Sequence, residues 1–209
     1  MMHRRLAAGL TLAAAALLTS CATPSASTPA AGAPDGPALG SVSPGLPGGD
    51  VVGQGTVLDT GNGAQLCLGP VAESYPPQCS GIPLEGWSWD DVDGSDSANG
   101  TTWGAYAVQG TYDGEVFTVT QPPIMLALYD PMMRDDPTGG KAGSATDADV
   151  DTIQQDLPDL LGDAYLGSYP DNGWVWVDVV WDDGTWQQAA EEDYGADAVV
   201  VRSALTEVD

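Results

Sequence analysis

Between residues 51 and 125 Gly, Pro and Asp interrupt the chain so often that a long helix has no room to form, and this restricts the fold more than any other feature. Gly loses the most backbone entropy in a helix, Pro lacks the amide a helix interior must donate, and Asp competes for nearby backbone amides. Between the interruptions lie short runs rich in Val, Thr, Tyr and Trp, with turn signals about every eight to twelve residues, as in small all-β folds. Strands are expected over residues 55–59, 65–69, 82–87, 102–112 and 115–120. The last two read as a hairpin, because Tyr112-Asp113-Gly114-Glu115 sets an Asp-Gly turn between alternating runs. Tyr106, Val108 and Tyr112 then share one face. Five short strands with a long third-to-fourth connection predict an all-β domain over residues 51–129, either a partly open barrel of OB type or a small sandwich. Pro122-Pro123 ends the last strand, and the apolar residues 124–129 are expected to pack back on a core. Residues 130–145, with Pro, Gly and mixed charges, read as an inter-domain loop.

From residue 146 to 209 the texture changes to that of an α+β domain. Thr146 and Asp149 are spaced to open a helix running to about residue 156 and bounded by Pro158, with Val150, Ile153, Leu157, Leu160 and Leu161 as its apolar stripe or continuation. Strands over 164–169 and 174–181 flank Pro170-Asp171-Asn172-Gly173, whose Asn-Gly pair suits a turn needing positive φ. Val175, Val177, Val179 and Trp181 alternate with Trp174, Trp176, Asp178 and Val180, and the valine face is expected to be the core. Thr185-Trp186-Gln187-Gln188 resembles a capping box for a second helix ending at Gly195, and a last strand covers 198–204. The order α-β-β-α-β predicts a three-stranded sheet with helices on one face and the last strand parallel to its neighbour through a right-handed crossover.

The N-terminus differs from both regions. Met1-Met2-His3-Arg4-Arg5 is positively charged, and residues 6–18 are mostly Leu and Ala, the layout of a secretory signal that is too short to span a bilayer stably. The run ends in Leu18-Thr19-Ser20-Cys21, which resembles the lipobox of bacterial lipoproteins. That resemblance implies a signal peptide over residues 1–20, cleavage before Cys21, and a diacylglycerol on the Cys21 thiol. The product would be an exported chain held by its lipid at the outer face of the cytoplasmic membrane. Residues 21–50, rich in Ala, Pro, Gly, Ser and Thr, read as a disordered linker. Beyond the lipobox, Leu66-Cys67-Leu68-Gly69, Pro76-Pro77-Gln78-Cys79, Tyr194-Gly195 and Val199-Val200-Val201 resemble the layout of uncharacterised secreted lipoproteins of actinobacteria. This implies a bacterial source and no particular activity.

Cleavage before Cys21 would discard His3, Arg4 and Arg5, so the mature chain would contain no histidine. It would keep Arg134, Lys141 and Arg202 against 30 acidic residues, a formal charge of −27. A field of that sign repels phosphate backbones and anionic headgroups, so nucleic acid is excluded as a partner and the membrane is met through the lipid on Cys21.

With Cys21 acylated, Cys67 and Cys79 remain in an oxidising compartment and are expected to form a disulfide. Without histidine the usual Ser-His-Asp and Cys-His systems lack their base, and no catalytic residue is assigned. No cofactor is expected apart from calcium, for which Asp90, Asp91, Asp93 and Asp96 are candidate ligands, although their spacing is not that of an EF-hand. Trp87, Trp89, Trp103 and Trp176 are candidate ligand-binding rings, Trp176 because it lies opposite the valine face. The reading that follows is a lipid-anchored, non-enzymatic binding or structural protein with a peptide, glycan or protein ligand. A carboxylate-dependent hydrolase of cell-wall glycans and a proteinase-inhibitor or prodomain-like module are the alternatives.

Overall fold

The computed structural model describes residues 36–130 and 136–208; the signal segment, Cys21 and Arg134 lie outside the described residues. Among the described residues, eleven strands and two α-helices are arranged as a closed five-stranded barrel with short added strands and as a second, three-stranded sheet covered by the helices. The barrel strands are β1 (Val51–Asp59), β2 (Ala64–Cys67), β3 (Ile82–Glu85), β5 (Thr101–Tyr112) and β6 (Phe117–Val119). Short strands β4 (Asp96–Ala98) and β7 (Ile124–Met125) attach to β5. The order round the barrel is β1-β2-β3-β6-β5 and back to β1, with β3 parallel to β6 and the other neighbours antiparallel.

The sequence suggested a barrel left partly open, but β1 pairs with β5 over its whole length, from Val51 opposite Gly110 to Asp59 opposite Thr102. Two glycines permit the tight curvature. A Cβ on Gly55 would run into the Cys67 carbonyl oxygen, and one on Gly110 into that of Thr118. The β5–β6 connection is a four-residue loop, in which the Asp113 carboxylate accepts from the Glu115 and Val116 amides at 3.0 and 2.7 Å. Of the apolar residues 124–129, Met125 packs against the barrel core as expected, whereas Ile124 is 45 % and Leu128 76 % exposed.

The second sheet has the order β10-β9-β8, with β8 Tyr165–Asp171, β9 Trp174–Val179 and β10 Val199–Ser203. β9 is antiparallel to β8 through the Asn172-Gly173 turn and parallel to β10, as expected. Val175, Val177 and Val179 are fully buried against α1 (Asp147–Leu161) and α2 (Thr185–Tyr194). The capping box of Thr146 and Asp149 forms. Pro158 does not end α1, which continues to Leu161 so that Ile153, Leu157 and Leu161 form one buried stripe. The Thr185–Gln188 box is absent. Asp182 caps α2 instead, its carboxylate accepting from the Trp186 and Gln187 amides at 2.9 and 3.2 Å.

Three observations tie the two regions together within one compact unit. The chain turns at Ala204 into β11 (Leu205–Glu207), which pairs with the start of β1, so the C-terminal region adds a short strand to the barrel sheet. Val180 and Leu205 complete the barrel core beside Leu66, Tyr106, Val108 and Phe117. Residues 36–50, expected to be part of a free linker, are packed along both regions. Leu39 is fully buried among Ile153, Leu157 and Trp186, and Val42 accepts from the Trp186 indole at 3.1 Å. Gly45 accepts from the Trp181 indole at 2.8 Å, and the Gly48 amide donates to Glu207 at 2.8 Å. The linker reading failed here because a few well-placed side chains in a Pro- and Gly-rich stretch suffice when a core is waiting for them.

Candidate functional site

Where the barrel meets the small sheet, a cleft of about 470 Å³ opens over β2 and β3. Its floor is Leu66, Leu68 and Ile82 from the barrel side, and Leu166 and Val180 from the other. Tyr165 and Leu166, successive residues of β8, point to opposite faces, so Tyr165 packs towards the helices while Leu166 packs on the barrel. Glu115, on the β5–β6 loop, and Asp163, just before β8, line the cleft, and both are exposed. Among the described residues no Lys or Arg lines it.

Tyr112 holds the loop at the cleft rim, its hydroxyl donating to the Gly114 carbonyl oxygen at 2.7 Å. Burial, and after it the charges of Asp113 and Glu115, push the Tyr112 pKa up, so the hydroxyl keeps its proton and this bond at neutral pH. A second cavity of about 210 Å³ shares Tyr112, Gly114, Ala164 and Val180 with the first and runs to Pro44, Leu46 and Trp181. The two cavities adjoin at these four residues. The apolar floor and rim carboxylates of the larger one suit an uncharged or cationic ligand with apolar side groups.

The uncovered face of the small sheet carries a second feature. Tyr169 and Trp176, directly opposite each other on β8 and β9, have nearly parallel rings with centroids 6.4 Å apart. The Arg202 guanidinium lies 5.4 Å from the Tyr169 centroid and 5.1 Å from that of Trp176, and it donates two 3.0 Å bonds to Asp178. Trp176 is thus half-buried under a cation rather than open, although Tyr169 remains 42 % exposed.

The other sequence candidates take different places. Trp87 and Trp89 meet edge-to-face at 5.2 Å, and Trp87 meets Tyr106 at 5.0 Å, so these indoles pack against the barrel core. Trp103 meets exposed Tyr75 edge-on at 5.4 Å and does not line the cleft. The indole N–H groups of Trp87, Trp89 and Trp176 are buried with no partner among the described residues. Asp90 and Asp91 lie in a 3-10 turn, and Asp96 begins β4, where its carboxylate accepts from the Ser97 amide. Among the described residues no three acidic, Cys or His side chains stand together as a metal would require. Cys67 and Cys79 are joined in a disulfide. Sequence reading missed the cleft because it has no motif: its residues come from five separate segments.

No family model matches the chain, and no curated protein and no solved structure is significantly similar to it. Among the described residues no helix is long and apolar enough to cross a membrane.

Proposed function

We propose that the protein is a lipid-anchored, extracytoplasmic and non-enzymatic binding module, tethered through Cys21 and taking its ligand in the cleft between barrel and sheet. One observation carries the ligand half of this reading. The cleft lies over β2 and β3 and beside the β5–β6 loop of a barrel whose strand order is that of an OB-type fold. In such barrels the face of the second and third strands, together with the loop between the fourth and fifth, is where ligands bind. Nucleic acid, a frequent ligand of that face, is disfavoured by the charge of −27 on the mature chain and by Glu115 and Asp163 at the rim.

The position of the acids supports binding over glycan hydrolysis. Such hydrolysis needs one carboxyl kept protonated by an apolar surrounding, and both rim acids stand in water. Supporting the same choice over an inhibitor that adds a strand, side chains of α1 and α2 already occupy backbone groups on β8 and β10, the outer strands of the small sheet. The anchoring half rests on Leu18-Thr19-Ser20-Cys21 and the segment before it.

The two halves are tested separately. Cys21→Ala should move the protein from the membrane to the soluble fraction, and unchanged retention would remove the anchor from the reading. For the ligand, a soluble Cys21→Ser chain should recover a reproducible partner from envelope extract, while Ser80→Trp, which sets an indole at the cleft mouth, should not. Equal recovery by both would place binding elsewhere.

A further inference from the structure

We infer that residues 36–49 form a releasable strap, which undocks as a unit while the barrel and the helix-covered sheet stay folded, and which couples the reach of the Cys21 tether to one wall of the smaller cavity. The tether rests on the anchoring proposed above; the strap does not. Among the described residues, no backbone group of this segment bonds the backbone of another element. Side chains of the fold grip it instead. Asp193 accepts from the Leu39 amide at 2.7 Å, Asp183 from the Gly45 amide at 2.9 Å and Glu207 from the Gly48 amide at 2.8 Å. The Trp186 and Trp181 indoles donate to the Val42 and Gly45 carbonyl oxygens at 3.1 and 2.8 Å. Leu39 is the one fully buried side chain of the segment, and Leu46 is 61 % exposed. Release therefore breaks side-chain bonds and withdraws one apolar anchor, but it opens no strand pairing. Elements held in this way stand at the low end of a protein's local stabilities.

The contacts follow one another along the chain from Leu39 to Gly48, so tension arriving from Cys21 loads them before it reaches β1, which is paired along its whole length with β5. Undocking adds the strap to the path between Cys21 and β1, at most about 50 Å of extended chain. It also takes away Ser43, Pro44, Gly45 and Leu46, which line the 210 Å³ cavity, and frees the Trp181 and Trp186 indoles that bonded the strap. No strap residue lines the larger cleft, so that cleft is left in place.

Native-state hydrogen exchange of the Cys21→Ser chain at rising denaturant tests the strap. The Leu39, Gly45 and Gly48 amides and the Trp181 indole N–H should share one opening equilibrium, about tenfold or more above that of the Val177 amide in β9 and nearly independent of denaturant. Opening of these groups only together with Val177 overturns the inference, as do unrelated values among the four. Mechanical extension between the Cys21 thiol of the unacylated chain and an Asn62→Cys thiol tests the coupling. A reversible gain of at most about 50 Å should come before β1 gives way, and a single rupture with no earlier gain overturns the coupling. Should Cys21→Ala leave membrane retention unchanged, the anchor falls and the coupling with it, while a shared opening of the four groups still upholds the strap.

Discussion

The barrel and the three-stranded sheet face the same difficulty, unpaired backbone at a strand edge, and meet it differently. In the barrel the strands answer one another: β5 closes onto β1 along nine residues, and the ring has no edge left. In the small sheet β10 and β8 each lack a strand on one side, and glutamine side chains reach across from the helices. Gln187 on α2 donates to the Val199 carbonyl at 3.2 Å and accepts from the Val201 amide at 2.8 Å. Gln154 on α1 donates to the Ser168 carbonyl at 3.2 Å. The barrel is therefore organised by its own backbone, whereas the sheet depends on what packs around it.

That contrast is broken most directly at Leu39. Leu39→Ala removes a fully buried side chain from the helix-covered core and should cost about 2–5 kcal/mol, read by denaturant unfolding. If residues 36–50 were a mere tether, the loss would be near zero. On the barrel side, replacing Cys67 and Cys79 by Ser should cost about 3 kcal/mol, the chain-entropy value for a loop of this size. Hydrogen exchange should place the loosening at β2 and β3 before it reaches β9.

Next in size is Asp182→Ala, which strips α2 of its N-terminal acceptor and should cost about 1–2 kcal/mol. Asp182 also has a pH signature. Burial, only partly opposed by its hydrogen bonds, raises its pKa, so its contribution is present at low pH and lost as pH rises through the raised value. Asp113 and Asp149 have the opposite sign. Val116 and Glu115 amides hold the Asp113 pKa down, and the Thr146 hydroxyl and amide hold that of Asp149 down. Their contribution is present above the ordinary aspartate value, about 4, and lost as pH falls through the lowered ones. In Asp182→Asn the decline in stability above about pH 4 should be shallower than in the unaltered chain, while the loss below it should persist. The smallest effect is expected at the edges: Gln187→Ala and Gln154→Ala should each cost about 1 kcal/mol. They should also raise self-association in sedimentation, more for Gln187, which satisfies both a donor and an acceptor. The same substitutions have no counterpart in the barrel, where no edge waits to be uncovered.

Local chemistry was legible wherever a few adjacent residues settle the outcome. The Asn172-Gly173 turn, the capping box of Thr146 and Asp149, the buried valine face of β9 and the Cys67–Cys79 pairing could all be read before any fold was known. Prediction failed where a distant group outbids a near one. Asp182 took the α2 amides from Thr185, and a waiting core drew in Leu39. The cleft was illegible for the same reason, since Asp163 and Val180 meet Leu66, Ile82 and Glu115 only in the assembled fold, where β11 joins the C-terminal region to β1.

By itself the sequence determined the charge, the Asn172-Gly173 turn, the capping box of Thr146 and Asp149, and the inward valine face of β9. These are properties of composition and of residues a few positions apart. Tertiary structure alone decided that the barrel closes, that residues 36–50 belong to the folded unit, and that an apolar groove with an acidic rim lies between barrel and sheet. Each of those outcomes turns on backbone pairing and side-chain burial between segments up to about 150 residues apart, where no local preference acts and the packing that excludes most water prevails.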